Sequence, residues 1–246
     1  MDRYITDYNP EDFTPEFLNS YDWDIIEFKA TIDISLLEDY YDVLKTDLAH
    51  LEFHFGLKEY IKKEIFEMWT ETNRVGNYEG NVSGWGISWP AERNIPCAGK
   101  RHVNPIHYPE LEKYDLDADG DGFYADSKIM SVYKFGIVNK MIKEWGEPAL
   151  RQLLAIKHPP GTRVHNHHDG SYKKLHIPMH SNDQALFCFG ENDERKYVMK
   201  PGKIYMINPI VNHSTINNGT TERVHFLTRI DPEYVTTFAG ITTHIK

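Results

Sequence analysis

Cysteine is nearly absent. Cys97 and Cys188 are the only two in 246 residues. They stand far apart and form neither a C-x-x-C pair nor a zinc-type cluster. That removes a disulfide framework and a thiolate zinc site from consideration and fits a reducing, cytosolic setting. Long apolar runs are missing as well: no stretch approaches the ~18 residues of a membrane span. Met1 to Pro10 is acidic and polar, without the apolar segment of a secretion signal. The expectation is a cytoplasmic protein with no membrane partner. Basic charge is scarce, 27 Lys and Arg against 37 Asp and Glu for a net charge of -10. Neutralising phosphates calls for clustered Lys and Arg, so nucleic acid is not the expected partner. Internal repeats, low-complexity tracts and linkers are also lacking, which leaves a single domain over 1–246.

A chain of this length, 40% hydrophobic, buries roughly 70% of the surface its unfolded form exposes. Its core needs no structural metal, and any bound metal is free for chemistry. Histidine is what the sequence does have. Five of the thirteen (His158, His165, His167, His168 and His176) fall within one short stretch, and a local excess of imidazole points to metal chemistry.

From Ile34 to about Thr72, apolar residues recur at three and four (Leu37, Tyr40, Tyr41, Leu44, then Tyr60, Ile61, Ile65, Trp69), which predicts two amphipathic helices separated near Gly56. Asn77 to Pro109 is rich in Gly, Asn and Pro and reads as loop and short strand, with Trp85 and Trp89 candidates, like Tyr124, for a pocket wall. Ile129 to Leu154 returns to helical spacing, interrupted near Gly146 and Pro148. Beyond it come six short alternating runs: Arg163 to His167, Lys173 to Met179, Ala185 to Phe189, Lys196 to Met199, Lys203 to Ile207 and Glu222 to Ile230. The expected class is α+β, a jelly roll over 151–232 with a largely helical and loop flank over 1–150 packed against it.

Within Pro159 to Gly170, His167 and Asp169 stand two apart in a strand-like run, so both side chains share a face. A third ligand from a later strand would complete a 2-His-1-carboxylate triad, which leaves coordination positions open for a co-substrate and O2. His213, after the strand and turn at Ile207 to Asn212, is the best candidate. Ten residues on, alternation places Arg223 and His225 on one face and Val224 and Phe226 on the other. A guanidinium facing such a site suits a dicarboxylate. His165, His168 and His158 read as bystanders and His225 as a pocket candidate. Arg163 and Arg229 read either as surface ion pairs or as substrate-carboxylate contacts.

The order Gly161-x-x-Val164-x-x-His167-x-Asp169, then Lys174-Leu175-His176-Ile177-Pro178, then His213 and Arg223, resembles the aspartyl/asparaginyl β-hydroxylase and cis-proline-hydroxylase group. The resemblance runs from Leu153 to Asp231. It implies a double-stranded β-helix (cupin-like) core and an Fe(II)- and 2-oxoglutarate-dependent dioxygenase. The reaction it implies hydroxylates an unactivated carbon of an amino acid or peptidyl side chain while 2-oxoglutarate and O2 yield succinate and CO2. On that resemblance His167, Asp169 and His213 bind iron, Arg223 holds the distal carboxylate of 2-oxoglutarate, and His176 contacts the co-substrate near its metal-binding end. Lys174 stands where the group more usually has Arg. Asp169 makes the chain similar to the free-amino-acid hydroxylases and argues against a halogenase.

Two other readings remain open. One is a cupin-type dioxygenase or isomerase that does not use 2-oxoglutarate; the other is a metal- or calcium-stabilised binding module without oxygenase activity. For the latter, Asp117, Asp119, Asp121 and Gly122 reproduce the first half of an EF-hand loop, although Lys128 then falls at its twelfth position. Starting from Asp115 puts Asp126 there instead. Calcium binding and a solvated acidic turn both fit this segment.

Overall fold

The computed structural model describes residues 2–45, 78–79, 83–86, 88–89, 128–129, 134–169 and 173–246. Its strands are β1 (Tyr4–Ile5), β2 (Ile25–Ile32), β3 (Tyr78–Glu79), β4 (Ser83–Gly86), β5 (Ser88–Trp89), β6 (Lys128–Ile129), β7 (Arg151–His158), β8 (Thr162–His167), β9 (Lys174–His180), β10 (Ala185–Phe189), β11 (Arg195–Val198), β12 (Lys203–Ile207), β13 (His213–Asn217), β14 (Arg223–Arg229) and β15 (His244–Ile245). The α-helices are α1 (Pro15–Leu18), α2 (Ile34–Lys45), α3 (Gly136–Trp145) and α4 (Val235–Ala239).

Among the described residues the major sheet runs β1-β2-β12-β9-β14-β7-β4, with β15 also on β2, and the minor sheet runs β11-β10-β13-β8-β3. The period-2 alternation of each strand decides which layer its side chains join. Ile26, Phe28, Ala30, Leu175, Ile177, Met179, Ile204, Met206, Val224 and Phe226 point to the outer face of the major sheet. There they pack on Leu37, Tyr40 and Tyr41 of α2, Ile137, Val138, Met141 and Trp145 of α3, and Val235 and Phe238 of α4. Ile25, Tyr205 and Ile207 point the other way and meet Phe187 and Phe189 of the minor sheet. Two sheets therefore enclose an interior, as in a double-stranded β-helix, and helices cover the back of the larger one.

One end of that interior is closed by ion pairs. Asp24, fully buried just before β2, accepts hydrogen bonds from Arg3 Nε at 3.0 Å, Arg195 Nε at 2.5 Å, Arg195 Nη2 at 3.1 Å and the Tyr197 hydroxyl at 3.0 Å. Arg195 and Tyr197 belong to β11, so this carboxylate fastens the two sheets together.

Three expectations change. The helix read over Ile129 to Leu154 is only Gly136–Trp145: Gly146, at φ 80°, ends it, and residues from Arg151 form β7, hydrogen-bonded between β14 and β4. A strand covered on both faces has the near-continuous apolar character that a buried helix also shows, so periodicity alone does not separate them. The flank over 1–150 is not only helix and loop, because β2 lies within the major sheet and pairs with β12. β13, absent from the six expected strands, pairs with β10 and β8. The first expected helix is α2; the second, the Asp-rich loop and Tyr124 lie outside the described residues. Among those described, no helix is long and apolar enough to cross a membrane.

Replacing Asp24 with Ala strands two guanidinium groups beside a buried cavity and is expected to lower unfolding free energy by about 3 kcal/mol, read as a lower urea midpoint. A change below about 0.5 kcal/mol would show that the sheets do not depend on this link.

Candidate metal centre

β8 and β13 set the first ligand pair. Their register matches His213 with His167 but Thr215 with Val164, so two steps on β13 oppose three on β8, which is a β-bulge. Regular alternation from buried Val164 would send His167 outside the roll; the extra residue turns it inward, beside His213. The imidazole centroids are 4.5 Å apart. Asp169 does not share a strand with His167, as the sequence had suggested. β8 stops at His167, and Asp169 sits in the following loop, its backbone N–H donating to Pro209 O at 2.8 Å.

One potential ligand atom each from His167, Asp169 and His213 lies within 4.8 Å of the others. Asp169 Oδ2 is 3.7 Å from His167 Nε2 and 3.3 Å from His213 Nε2. Each imidazole is fixed from behind in the same way, His167 Nδ1 to His165 O at 2.7 Å and His213 Nδ1 to Val211 O at 2.9 Å. A carbonyl only accepts, so each Nδ1 donates there and each Nε2 is turned toward the carboxylate. Burial lowers the His213 pKa despite the opposing pull of Asp169. Burial by itself would raise the Asp169 pKa, but the adjoining His167 and His213 rings and the Lys174 charge outweigh it and hold the carboxyl well below the usual carboxylate range. Lys174 Nζ hydrogen-bonds Asp169 Oδ2. Two imidazoles and a carboxylate brought together in this way are a donor set that could hold a divalent transition metal. His213 is 3% exposed whereas His167 and Asp169 are about a quarter exposed, so the cluster is closed on one side and open on the other.

Deeper in, Phe187 lies under the site. His213 stacks on its ring at 5.6 Å, His176 meets it edge-on at 5.1 Å, and the Arg223 guanidinium carbon lies 6.0 Å from its centroid. Arg223 is buried, and burial pushes its pKa down to about 9, so it remains charged at neutral pH. Its neighbours are imidazoles: Nη1 is 3.0 Å from His158 Nδ1, and Nε donates to His225 Nε2 at 3.1 Å. Among the described residues no carboxylate pairs with it. Burial first, then the Arg223 charge, holds His158, His176 and His225 well below the ordinary imidazole value. Among the described residues, both ring nitrogens of His176 and the Thr215 hydroxyl are buried without a hydrogen-bond partner.

The structure thus brings His167, Asp169 and His213 together and places Arg223 and His176 in the same interior. Lys174 touches Asp169 and not the Arg223 end. Arg163 pairs with Asp193 at 2.6 Å, as a surface arginine would. His158, read as a bystander, touches Arg223. Its strand resembled a helix end, so the facing of Arg223 and His158 across β14 and β7 left no pattern to read, whereas alternation did expose His225.

Fold and site define a double-stranded β-helix protein with a His-Asp-His cluster near a buried arginine that pairs with no carboxylate among the described residues. Residues 132–232, a stretch that holds every residue of the cluster, match the family model described as aspartyl/asparaginyl beta-hydroxylase. No curated protein matches the chain. Among solved structures it is similar to a predicted oxalate decarboxylase from Thermotoga maritima (13% identity, 66% of this chain and 92% of that one, TM-score 0.33). It is similar also to a cupin-like protein from the same organism (13%, 66% and 78%, 0.33) and to a cupin domain from Bordetella pertussis (21%, 33% and 80%, 0.29).

The neutral buried imidazoles couple folding to pH. His158, His176 and His225 have lowered folded pKa values, so below about 6.5 the unfolded chain binds protons that the native chain does not. Their contribution to stability is complete above that pH and falls as the pH drops, by up to about 1.4 kcal/mol per pH unit for each imidazole. Urea unfolding in the presence of chelator should show this loss from about pH 7.5 to about pH 5.5; a flat profile would contradict neutral burial.

Proposed function

We propose that the protein is a non-haem Fe(II)- and 2-oxoglutarate-dependent oxygenase that hydroxylates an unactivated carbon of an amino acid or a peptidyl side chain. The observation that carries this reading is the pairing of a His-Asp-His cluster, open on one side, with a buried guanidinium that has no acidic partner among the described residues. The cluster fits a divalent iron; the guanidinium fits the far carboxylate of a dicarboxylic co-substrate. Iron bound there would supply O2 activation coupled to conversion of 2-oxoglutarate into succinate and CO2.

The chain's own residues bind, orient and exclude water. His167, Asp169 and His213 would hold the metal, with both Nε2 atoms pre-aimed by their Nδ1 hydrogen bonds to backbone carbonyls. Lys174 fixes one oxygen of Asp169. Arg223 would take the distal carboxylate through parallel charge-assisted hydrogen bonds, and the unpartnered His176 ring and Thr215 hydroxyl supply polar contacts along the length of the same ligand. Phe187 and Phe189 dry the floor. The amino acid or peptide would approach from the open side of Asp169 and His167.

An anaerobic Fe(II) titration with 2-oxoglutarate tests the reading through the weak visible charge-transfer band such a chelate gives. The band is expected in the wild type and absent from His167→Ala and Asp169→Ala. No band with both components saturating would overturn the assignment. Succinate formation with a panel of amino acids and peptides should show Arg223→Ala raising the apparent KM for 2-oxoglutarate by at least about 30-fold, the scale expected for removing one partner of a buried charge pair.

A further inference from the structure

A buried arginine is ordinarily neutralised by an acid. Arg223 is instead enclosed by imidazoles, each brought to it by a different part of the major sheet. His158 is the last residue of β7 and lies directly opposite Arg223 in the β7–β14 register; its Nδ1 is 3.0 Å from Nη1. His225 is two residues along β14 on the same face, its Nε2 and Nδ1 each 3.1 Å from a guanidinium nitrogen, Nε and Nη2, so that its one lone pair accepts from one of the two. The position of His158 is itself fixed, because buried Asn217 at the end of β13 donates from Nδ2 to His158 O at 2.8 Å and so ties this point of the major sheet to the minor one. Both rings are buried, and the burial and neighbouring positive charge that keep them neutral leave each with one acceptor nitrogen.

We propose that His158 and His225 are positioning residues for the anion site. They satisfy two edges of the Arg223 guanidinium with neutral acceptors, which fixes its plane and leaves its full charge for the incoming carboxylate. An Asp or Glu in either place would hold the guanidinium equally well but would supply the counter-charge itself and compete with the ligand. The choice of imidazole is therefore what makes the arginine an anion receptor instead of half of an internal salt bridge. The inference rests on the reading of Arg223 as the co-substrate anchor and deepens it.

The test uses a near-isosteric pair at position 158. Asn places a neutral oxygen about where His Nδ1 stands, and Asp places a charged one there. Binding of 2-oxoglutarate to the Mn(II)-loaded protein is measured by calorimetry without turnover, with Mn(II) affinity measured separately. The expected result is that His158→Asn stays within about threefold of the wild type while His158→Asp loses at least about tenfold in 2-oxoglutarate affinity. All three should bind Mn(II) alike and remain folded by circular dichroism. A general packing role for His158 would move both variants together. Equal 2-oxoglutarate affinity in Asn and Asp variants, with normal wild-type binding, overturns this inference and leaves the oxygenase reading standing. Failure of the Mn(II)-loaded wild type to bind 2-oxoglutarate at all overturns both. A His225→Asn and His225→Asp pair repeats the comparison from the other edge, and the same split is expected.

Discussion

A full positive charge enclosed by protein, with no carboxylate beside it, is costly to hold unless its hydrogen bonds are met and a counter-charge arrives. Among the described residues Arg223 is in that condition, and the inner layer of the roll is arranged around it. Imidazoles meet its donors, Phe187 offers its ring face, and the His-Asp-His cluster lies across the same ring. The two halves of the site are complementary in sign: acceptors gather at the mouth, where a cation can bind, and a cation waits inside, where an anion can. On the proposed function, a ligand with a chelating head and an anionic tail would join them.

Holding these groups in register requires that the two sheets not slide. At the closed end Asp24 links the start of β2 to β11, and near the site Asn217 links β13 to β7. Between these links the facing aromatics of the interior pack at van der Waals contact. The metal cluster depends on the same rigidity, because His167 faces inward only by virtue of a bulge whose partner strand is pinned on both sides by β10 and β8. The back of the major sheet, under α2, α3 and α4, takes no part in the chemistry and supplies most of the apolar burial.

Much of the site was legible in the sequence because its signals are local. The imidazole-rich run, the His-x-Asp pair, the single distal His and the arginine ten residues beyond it can be read in order, and period-2 alternation from Arg223 to His225 survives in the structure. Ala185–Phe189 and Lys203–Ile207 were legible in full for the same reason. β7 and β13 were not. The first is apolar on both faces and mimics a helix; the second, His-Ser-Thr-Ile-Asn, is short, polar and flanked by turn residues, so it lacks the apolar alternation that marks a strand, yet Thr215 and Asn217 are buried.

By itself, then, the sequence determined the classes of group available, the strand-rich second half and the three residues that converge in the cluster as candidates, since composition, spacing and alternation are properties of the chain. The tertiary structure decided what no spacing encodes: that a bulge turns His167 inward, that Asp169 reaches the cluster from a loop and not a strand, and that β2 belongs to the main sheet. It also decided that His158, sixty-five residues from Arg223, is the group that touches it. Each of these follows from pairing between strands distant in sequence, where register and not residue type selects the neighbour.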